Sequence, residues 1–164
     1  MEKTTLVKVS LADDHVLLRN ALAALIDGFG DCKVIIQCSS GKELTEQIRS
    51  GMVPDVALLD LNMPLMDGFE TAGWLQQHFP KVHVMMLTMY DSELTMIRLL
   101  QAGVKGFLKK DIHPAELKFA IQSVVQSGYY YSNHTAGKLI NLFRHNAEGN
   151  MDLHRSMLSE EELK

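Results

Sequence analysis

The sequence predicts an α/β protein built on a doubly wound, parallel sheet of five strands. Two observations predict this class. Short apolar runs alternate with longer segments of helical spacing, and the alternation repeats five times between about residues 6 and 128. Strands that alternate with helices favour a parallel sheet that is covered by helices on both faces.

The five strands are predicted from short apolar or β-branched runs. The run LVKVSLA is the first, KVIIQ is β-branched, and VHVMMLT follows a proline that ends a helix. The third strand, introduced by Pro54, ends on the carboxylate of Asp60. The strands are predicted at residues 6–12, 33–37, 55–60, 82–88 and 106–109.

The five helices are predicted from spacing and from their stop signals. Leu44 and Ile48 are four residues apart on one face, Pro80 ends the third helix, and Gly103 follows the fourth. Pro114 opens the last helix, as proline does at a first helical position. The helices are predicted at residues 15–28, 41–51, 69–79, 92–102 and 114–128.

Composition narrows the function classes. The chain of 164 residues has the length of one typical domain, and its 46% of hydrophobic residues is enough to fill one core. A net charge of −4 gives no basic excess for nucleic acid. Cys32 and Cys38 are too few and too close for a disulfide scaffold, which predicts a reducing, cytoplasmic location. No apolar run is long enough to predict a signal peptide or a membrane span.

The chain is predicted to have three parts. Residues 1–128 form the main domain, and residues 129–157 hold a further helix at about 133–145 and then a polar linker. Residues 158–164 begin another helix, because Ser159 and Glu162 have the spacing of a capping box.

Four of the predicted strands end on polar side chains. The carboxyl ends of parallel strands share one edge of the sheet, where ligands bind in such folds. We therefore expect these side chains to converge. They are Asp13 and Asp14 after the first strand, Asp60 after the third, Thr88 after the fourth, and Lys109 and Lys110 after the fifth.

Three converging carboxylates repel one another unless a cation joins them. Mg²⁺ prefers oxygen ligands and has phosphate as a natural companion. Asp60 is therefore predicted to be a nucleophile that accepts a phosphoryl group, with a lysine and a hydroxyl holding the phosphoryl oxygens. Each residue alone also has an ordinary structural explanation, such as a loop cap or a helix N-cap, and only their joint placement favours the site.

Four motifs make the chain resemble the receiver domain of bacterial two-component response regulators over about residues 5–128. They are ADDH at 12–15, LLDLNMPLMDG at 58–68, LTMYD at 87–91 and GVKGFLKKD at 103–111. The resemblance implies the flavodoxin-like (βα)5 receiver fold. It also implies that Asp60 is the phosphoacceptor and that Asp13 and Asp14 bind Mg²⁺.

The remaining site residues follow from the same resemblance. Asp60 and the backbone carbonyl of Asn62 would complete the metal ligands. Thr88 and Lys110, rather than Lys109, would bind the phosphoryl group. Phe107 would be the switch aromatic that turns inward behind Thr88.

The resemblance is to the LuxR-type (NarL/FixJ-type) subfamily. Lys110 is followed by Asp111, where many receivers have Lys-Pro. The segment GYYYSNHTAGKLI resembles the short helix after those receivers, and MLSEEELK resembles the opening of their helix-turn-helix domain. Most of that domain is missing from the sequence, so this chain itself is not expected to bind DNA. Met89 and Tyr90 are expected to crowd the phosphoryl group and to make its hydrolysis slow.

The predicted function is a signalling receiver that a sensor histidine kinase phosphorylates on Asp60. It would control transcription through the absent DNA-binding domain and form a homodimer on phosphorylation, with no enzymatic activity beyond its own phosphoryl acceptance. Two alternatives stay open. A phosphotransferase or phosphatase would usually need an acid where Asn62 stands, and the complete set of acids with Thr88 and Lys110 argues against a non-phosphorylated pseudo-receiver. Nucleotide binding is a less well supported alternative function, because no glycine-rich phosphate loop follows a strand.

Overall fold

A computed structural model describes residues 5–88, 92–132, 135–141 and 144. The chain divides into two compact units, Met1–Tyr130 and Tyr131–Lys164. In the second unit, residues 135–141 are helical and lie within the helix predicted at 133–145. The linker and capping box predicted after residue 145, and Met89 and Tyr90, lie outside the described residues.

The first unit contains one sheet of five parallel strands in the order β2-β1-β3-β4-β5. Every pair of neighbouring strands is parallel, which confirms the predicted fold class. The strand order changes direction between β1 and β3, so this pair marks the switch point of the sheet. The strands are β1 Val7–Ala12, β2 Cys32–Cys38, β3 Val56–Asp60, β4 His83–Thr88 and β5 Gly106–Lys109.

Five helices connect and cover these strands. The helix α3 begins with a capping box, in which Asp67 accepts from the backbone N–H of Glu70 and the Glu70 side chain accepts from that of Asp67. The helix α5 begins with Pro114 and ends at Gly128, whose φ of 90° is left-handed. The helices are α1 Val16–Asp27, α2 Gly41–Arg49, α3 Gly68–His78, α4 Glu93–Gln101 and α5 Pro114–Ser127.

The core lies on both faces of the sheet, and β3 is buried along its whole length. On one face, the central strands pack with α1 and α5 in a cluster that includes Leu11, Leu58, Ile26 and Ile121. Burial on both faces explains why β3 is a continuous apolar run rather than an alternating one. Because the rest of β3 is apolar, the carboxylate of its last residue, Asp60, marks the edge of the sheet.

The predicted element bounds agree with the observed ones to within two residues, and β5 has the predicted bounds at both ends. Ser92 and Ala102, predicted inside the fourth helix, are its N-cap and C-cap. The strand β2 extends one residue further in each direction than its β-branched centre predicted, because Cys32 and Cys38 both pair with β1. Cap residues have half-helical geometry that spacing alone does not identify.

Candidate functional site

The acidic residues of the site lie at the switch point. Asp60 ends β3, and Asp13 and Asp14 directly follow the neighbouring strand β1. Asp13 is 1% exposed and Asp60 4% exposed, whereas Asp14 is exposed. The backbone N–H of Asp13 donates to the carbonyl of Cys38 at 3.0 Å, which holds this turn against the end of β2. Two buried carboxylates and one exposed carboxylate therefore come together.

Lys110 brings a positive charge to the same place from β5. Its backbone N–H donates to the carbonyl of Thr88 at 3.2 Å. Its ammonium lies 3.1 Å from Asp60 Oδ1 and 3.2 Å from Asp13 Oδ2, with 7% of the side chain exposed. Lys109, by contrast, is exposed. The structure therefore brings Lys110, and not its neighbour, to the buried carboxylates.

The environment of Asp60 raises the pKa of its carboxyl group above the ordinary value. Burial is the largest cause, and the nearby negative charges of Asp13 and Asp14 act in the same direction. Lys110 opposes them through its hydrogen bond and its charge without cancelling the shift. Further positive charge at this place would therefore favour the ionised, nucleophilic form.

A cleft of about 350 Å³ opens beside Asp60. Thr88, buried at the end of β4, and Asn62, exposed two residues after Asp60, both contribute to its wall. Phe107 is 6% exposed within β5, where it pairs with Met86, and it does not line the cleft. The cleft is lined by Asp14, His15, Asp60, Leu61, Asn62, Thr88 and Lys110.

The loop after β3 is fixed tightly against Asp60. A Cβ atom on Gly68 would lie 2.7 Å from the Asp60 carbonyl oxygen, so only glycine allows α3 to begin this close. The Gly68 N–H donates to the carbonyl of Leu61 at 2.8 Å. At the tip of the loop, Leu65 has a φ of 67°, and the N–H of Met66 donates to the carbonyl of Pro64 at 2.7 Å.

The donor set fits a divalent cation. Asp13, Asp14, His15 and Asp60 each offer one ligand atom, and these atoms lie within 4.8 Å of one another. Asp13 Oδ2 is buried and accepts no aligned hydrogen bond, although it is ion-paired with Lys110. An oxygen-rich cluster of this kind is suited to a hard cation.

Two residues of the site have no role predicted from the sequence, His15 and Arg19. His15 Nδ1 lies 3.0 Å from Lys110 Nζ. Arg19 Nη1 donates to the Asp13 carbonyl at 2.9 Å and to Ser39 Oγ at 2.7 Å, which ties the turn after β1 to the end of β2. Their separation by four residues places both on one side of the first turns of α1, and this spacing is the signal that could have found them.

Buried carboxylates, a lysine, a hydroxyl and an acidic cluster that could hold a cation meet at the switch point of a five-stranded parallel sheet, which is the arrangement of a receiver-type signalling domain. The chain belongs to the response regulator receiver domain family, whose model matches residues 9–122. Receiver domains of this family are phosphoryl acceptors.

The chain is similar to oxygen regulatory protein NreC from Staphylococcus epidermidis, with 28% identity over 138 residues. That alignment covers 84% of this chain and 63% of NreC, so the chain spans less than two thirds of this relative. The NreC of Staphylococcus aureus strain JH9 is also 28% identical, over 142 residues. These relatives agree with the predicted resemblance to NarL-type and LuxR-type receivers.

Solved structures agree with this assignment. The signal receiver domain of the response regulator NarL from Mycobacterium tuberculosis is 30% identical, with a TM-score of 0.71, and the match covers 75% of this chain and 98% of that one. A LuxR-family regulator from Aurantimonas sp. SI85-9A1 shares the fold with a TM-score of 0.75 at 23% identity, covering 84% and 97% of the two chains. Among the described residues, no helix has both the length and the apolar character to cross a membrane.

Proposed function

We propose that this chain is the receiver of a LuxR-type response regulator and that Asp60 accepts a phosphoryl group from a sensor histidine kinase. One observation carries the proposal. Asp60 is 4% exposed at the end of β3, beside an open cleft, with the Lys110 ammonium 3.1 Å from its carboxylate and two more carboxylates next to it. A buried ion pair of this kind costs free energy of desolvation, which is tolerable where the charges serve a reaction.

The reaction needs little covalent work from the protein. An oxygen of ionised Asp60 attacks the phosphorus of a phosphohistidine, the O–P bond forms and the P–N bond breaks. The leaving imidazole nitrogen keeps the bonding electron pair and takes up a proton. Lys110 remains next to the attacked phosphoryl group and binds one of its oxygens, and the hydroxyl of Thr88 donates to another.

Mg²⁺ is the cation that we assign to the acidic cluster. Asp13, Asp14 and Asp60 would hold it together with the backbone carbonyl of Asn62, as the resemblance implies. When bound, Mg²⁺ supplies the positive charge that offsets the carboxylates and the phosphoryl oxygens. The raised pKa of Asp60 supports this assignment, because positive charge favours the reactive ionised form.

The switch is a shift between two conformations of the β4 and β5 end of the sheet. Thr88 moves toward the phosphoryl group, and Phe107, which lies beside β4, takes the volume behind it. Phosphorylation stabilises this state because only there does Thr88 bind the new oxygens. The surface formed by α4, β5 and α5 changes with it and meets partners, including a second phosphorylated copy.

The output of the whole protein is transcriptional control. The chain is similar to regulators of the LuxR family, and its sequence MLSEEELK resembles the start of their helix-turn-helix domain. DNA binding then belongs to that domain, and the receiver acts in the cytoplasm, where the kinase module and DNA are both present.

Phosphoryl uptake tests the proposal directly. Incubation with acetyl phosphate and Mg²⁺ should add one phosphoryl group, seen as a mass increase that hydroxylamine reverses. Asp60→Asn should abolish it, while Asp111→Asn, an exposed acid next to Lys110 that does not line the cleft, should not. Uptake by folded Asp60→Asn, or no uptake by the folded wild-type chain, would overturn the proposal.

A further inference from the structure

His15 directs its ring into the cation site instead of capping its own helix. It is the N-cap residue of α1, yet its side chain makes no capping hydrogen bond. Its Nδ1 lies 3.0 Å from Asp13 Oδ1, 3.7 Å from Asp14 Oδ1 and 3.0 Å from Lys110 Nζ. The side chain is 65% exposed, so packing does not force this orientation.

These contacts place opposite demands on one nitrogen atom. If Nδ1 carries a proton, it can donate to Asp13 but then faces the donor group of Lys110. If Nδ1 carries a lone pair, it can accept from Lys110 but then faces the lone pairs of Asp13. No tautomer satisfies both neighbours, whereas a divalent cation would accept electron pairs from Nδ1 and from the carboxylates together.

The distances suit such an ion. An octahedral cation with bonds of about 2.1 Å places adjacent ligands about 3.0 Å apart and opposite ligands about 4.2 Å apart. The separation of 3.0 Å from Nδ1 to Asp13 matches adjacent positions, and the 3.7 Å to Asp14 lies between the adjacent and the opposite separation. The whole set lies within 4.8 Å, so a small closure completes the geometry.

A second observation points to the same ion. Asp13 is 1% exposed, and its Oδ2 faces this cluster without an aligned hydrogen bond. Its contact there is the ammonium of Lys110, which also lies at 3.1 Å from Asp60 and at 3.0 Å from His15. The positive charge of a side chain thus lies where these ligands converge.

We propose that His15 Nδ1 is a protein ligand of this site, and that it raises the affinity of the site for borderline transition-metal dications such as Mn²⁺ and Co²⁺ relative to Mg²⁺. Imidazole suits transition metals, whereas Mg²⁺ prefers oxygen. With an ion held by these ligands, the Lys110 ammonium would no longer be needed to neutralise them and would be available for a phosphoryl oxygen. The inference rests on the cation site of the proposed function but not on phosphoryl transfer.

The experiment uses the whole 164-residue chain without any phosphodonor. Pulsed electron paramagnetic resonance of bound Mn²⁺ should show coupling to an imidazole ¹⁴N nucleus, and His15→Ala should remove that coupling. Titration should show that His15→Ala weakens Co²⁺ binding by at least about tenfold, the size of loss seen even for outer-shell ligand partners. Mg²⁺ binding by the same variant should stay nearly unchanged.

Two further variants make the result specific. His15→Asn keeps a residue suited to the N-cap and removes the imidazole, so it should behave as His15→Ala if folding is not the cause. His78→Ala removes an exposed histidine of α3, whose Nδ1 contacts the Trp74 carbonyl, and it should change neither measurement.

Mn²⁺ that binds without nitrogen coupling, or coupling that persists in His15→Ala, would overturn the inference. Either result would leave the proposed function standing if Asp60 still takes up a phosphoryl group with Mg²⁺. Conversely, nitrogen coupling in a chain that accepts no phosphoryl group would support the metal ligand and refute the receiver activity.

Discussion

At the scale of the residue, Asp60 is held in an environment that opposes its charge. Folding raises the pKa of this carboxyl group, mainly through burial. A group of this kind contributes stability that is complete below its unfolded pKa and is lost as pH rises through its folded pKa. The fold is therefore less stable at neutral pH than it would be with a neutral side chain at this position.

Replacing Asp60 by Asn should increase the free energy of unfolding at neutral pH in metal-free buffer. The gain should shrink in acid, where Asp60 of the wild-type chain is protonated as well. Urea unfolding at several pH values measures it, with Asp111→Asn as the control for a lost exposed charge. A gain in stability that does not depend on pH would contradict a raised pKa of Asp60.

Lys110 partly offsets the unfavourable burial of the acids, because its ammonium is within 3.2 Å of both buried carboxylates. Lys110→Met should lower the free energy of unfolding in metal-free buffer by about 1–3 kcal/mol, since it leaves buried acceptors without a partner. Saturating Mg²⁺ should recover more stability in this variant than in the wild-type chain.

Lys109→Met is the matched comparison for Lys110→Met. Lys109 is exposed, and the change should have little effect with or without the metal. Equal losses in the two variants would indicate that the ammonium of Lys110 does not stabilise the site.

At the scale of the element, the start of α3 fixes the loop that follows Asp60. Asp67→Ala removes the side chain that accepts from the Glu70 N–H at 2.9 Å, and it should cost about 1 kcal/mol of stability. Ser92→Ala is the control, because Ser92 is also an N-cap but makes no side-chain capping bond. Similar thermal shifts for both variants would contradict the capping box.

Elements that depend on local signals could be predicted from the sequence. The apolar run before Asp60 and the proline at the start of α5 are local, and they located β3 and α5 within a residue of their observed bounds. The polar strand ends were also predictable, because parallel strands place them at one edge. The prediction that Lys110, and not Lys109, faces the acids came from the resemblance, because no periodicity in the sequence distinguishes the two lysines.

The orientation of His15 could not be predicted, since it depends on contacts made across the fold. Its neighbour Lys110 is 95 residues away in the chain. An N-cap position would favour a residue that bonds its own helix, and His15 does not. Local rules therefore give the opposite expectation for its side chain.

At the scale of the whole molecule, Tyr130 belongs with the first unit. Its N–H donates to the Lys105 carbonyl at 2.9 Å, it forms a parallel bridge with Gly106, and its hydroxyl donates to Glu116 at 2.9 Å. Burial and Glu116 raise the pKa of Tyr130 to about 12, so the hydroxyl remains a donor over the physiological pH range.

A chain ending at residue 132 should therefore fold and take up a phosphoryl group as the 164-residue chain does. A chain ending at residue 128 should be less stable by about 3–5 kcal/mol, the cost of removing a large buried aromatic side chain. Thermal unfolding and acetyl phosphate uptake measure both. Equal stability of the two truncated chains would show that Tyr130 adds nothing to the first unit.

The site gathers its charges from distant parts of the sequence. Lys110 follows Asp13 by 97 residues and arrives with β5, at the far edge of the sheet from β2. A chain whose last strand is not yet in place keeps Asp60 but lacks the ammonium that lies 3.1 Å from its carboxylate. If Asp60 is the phosphoacceptor that we propose, phosphoryl uptake should therefore require the complete sheet.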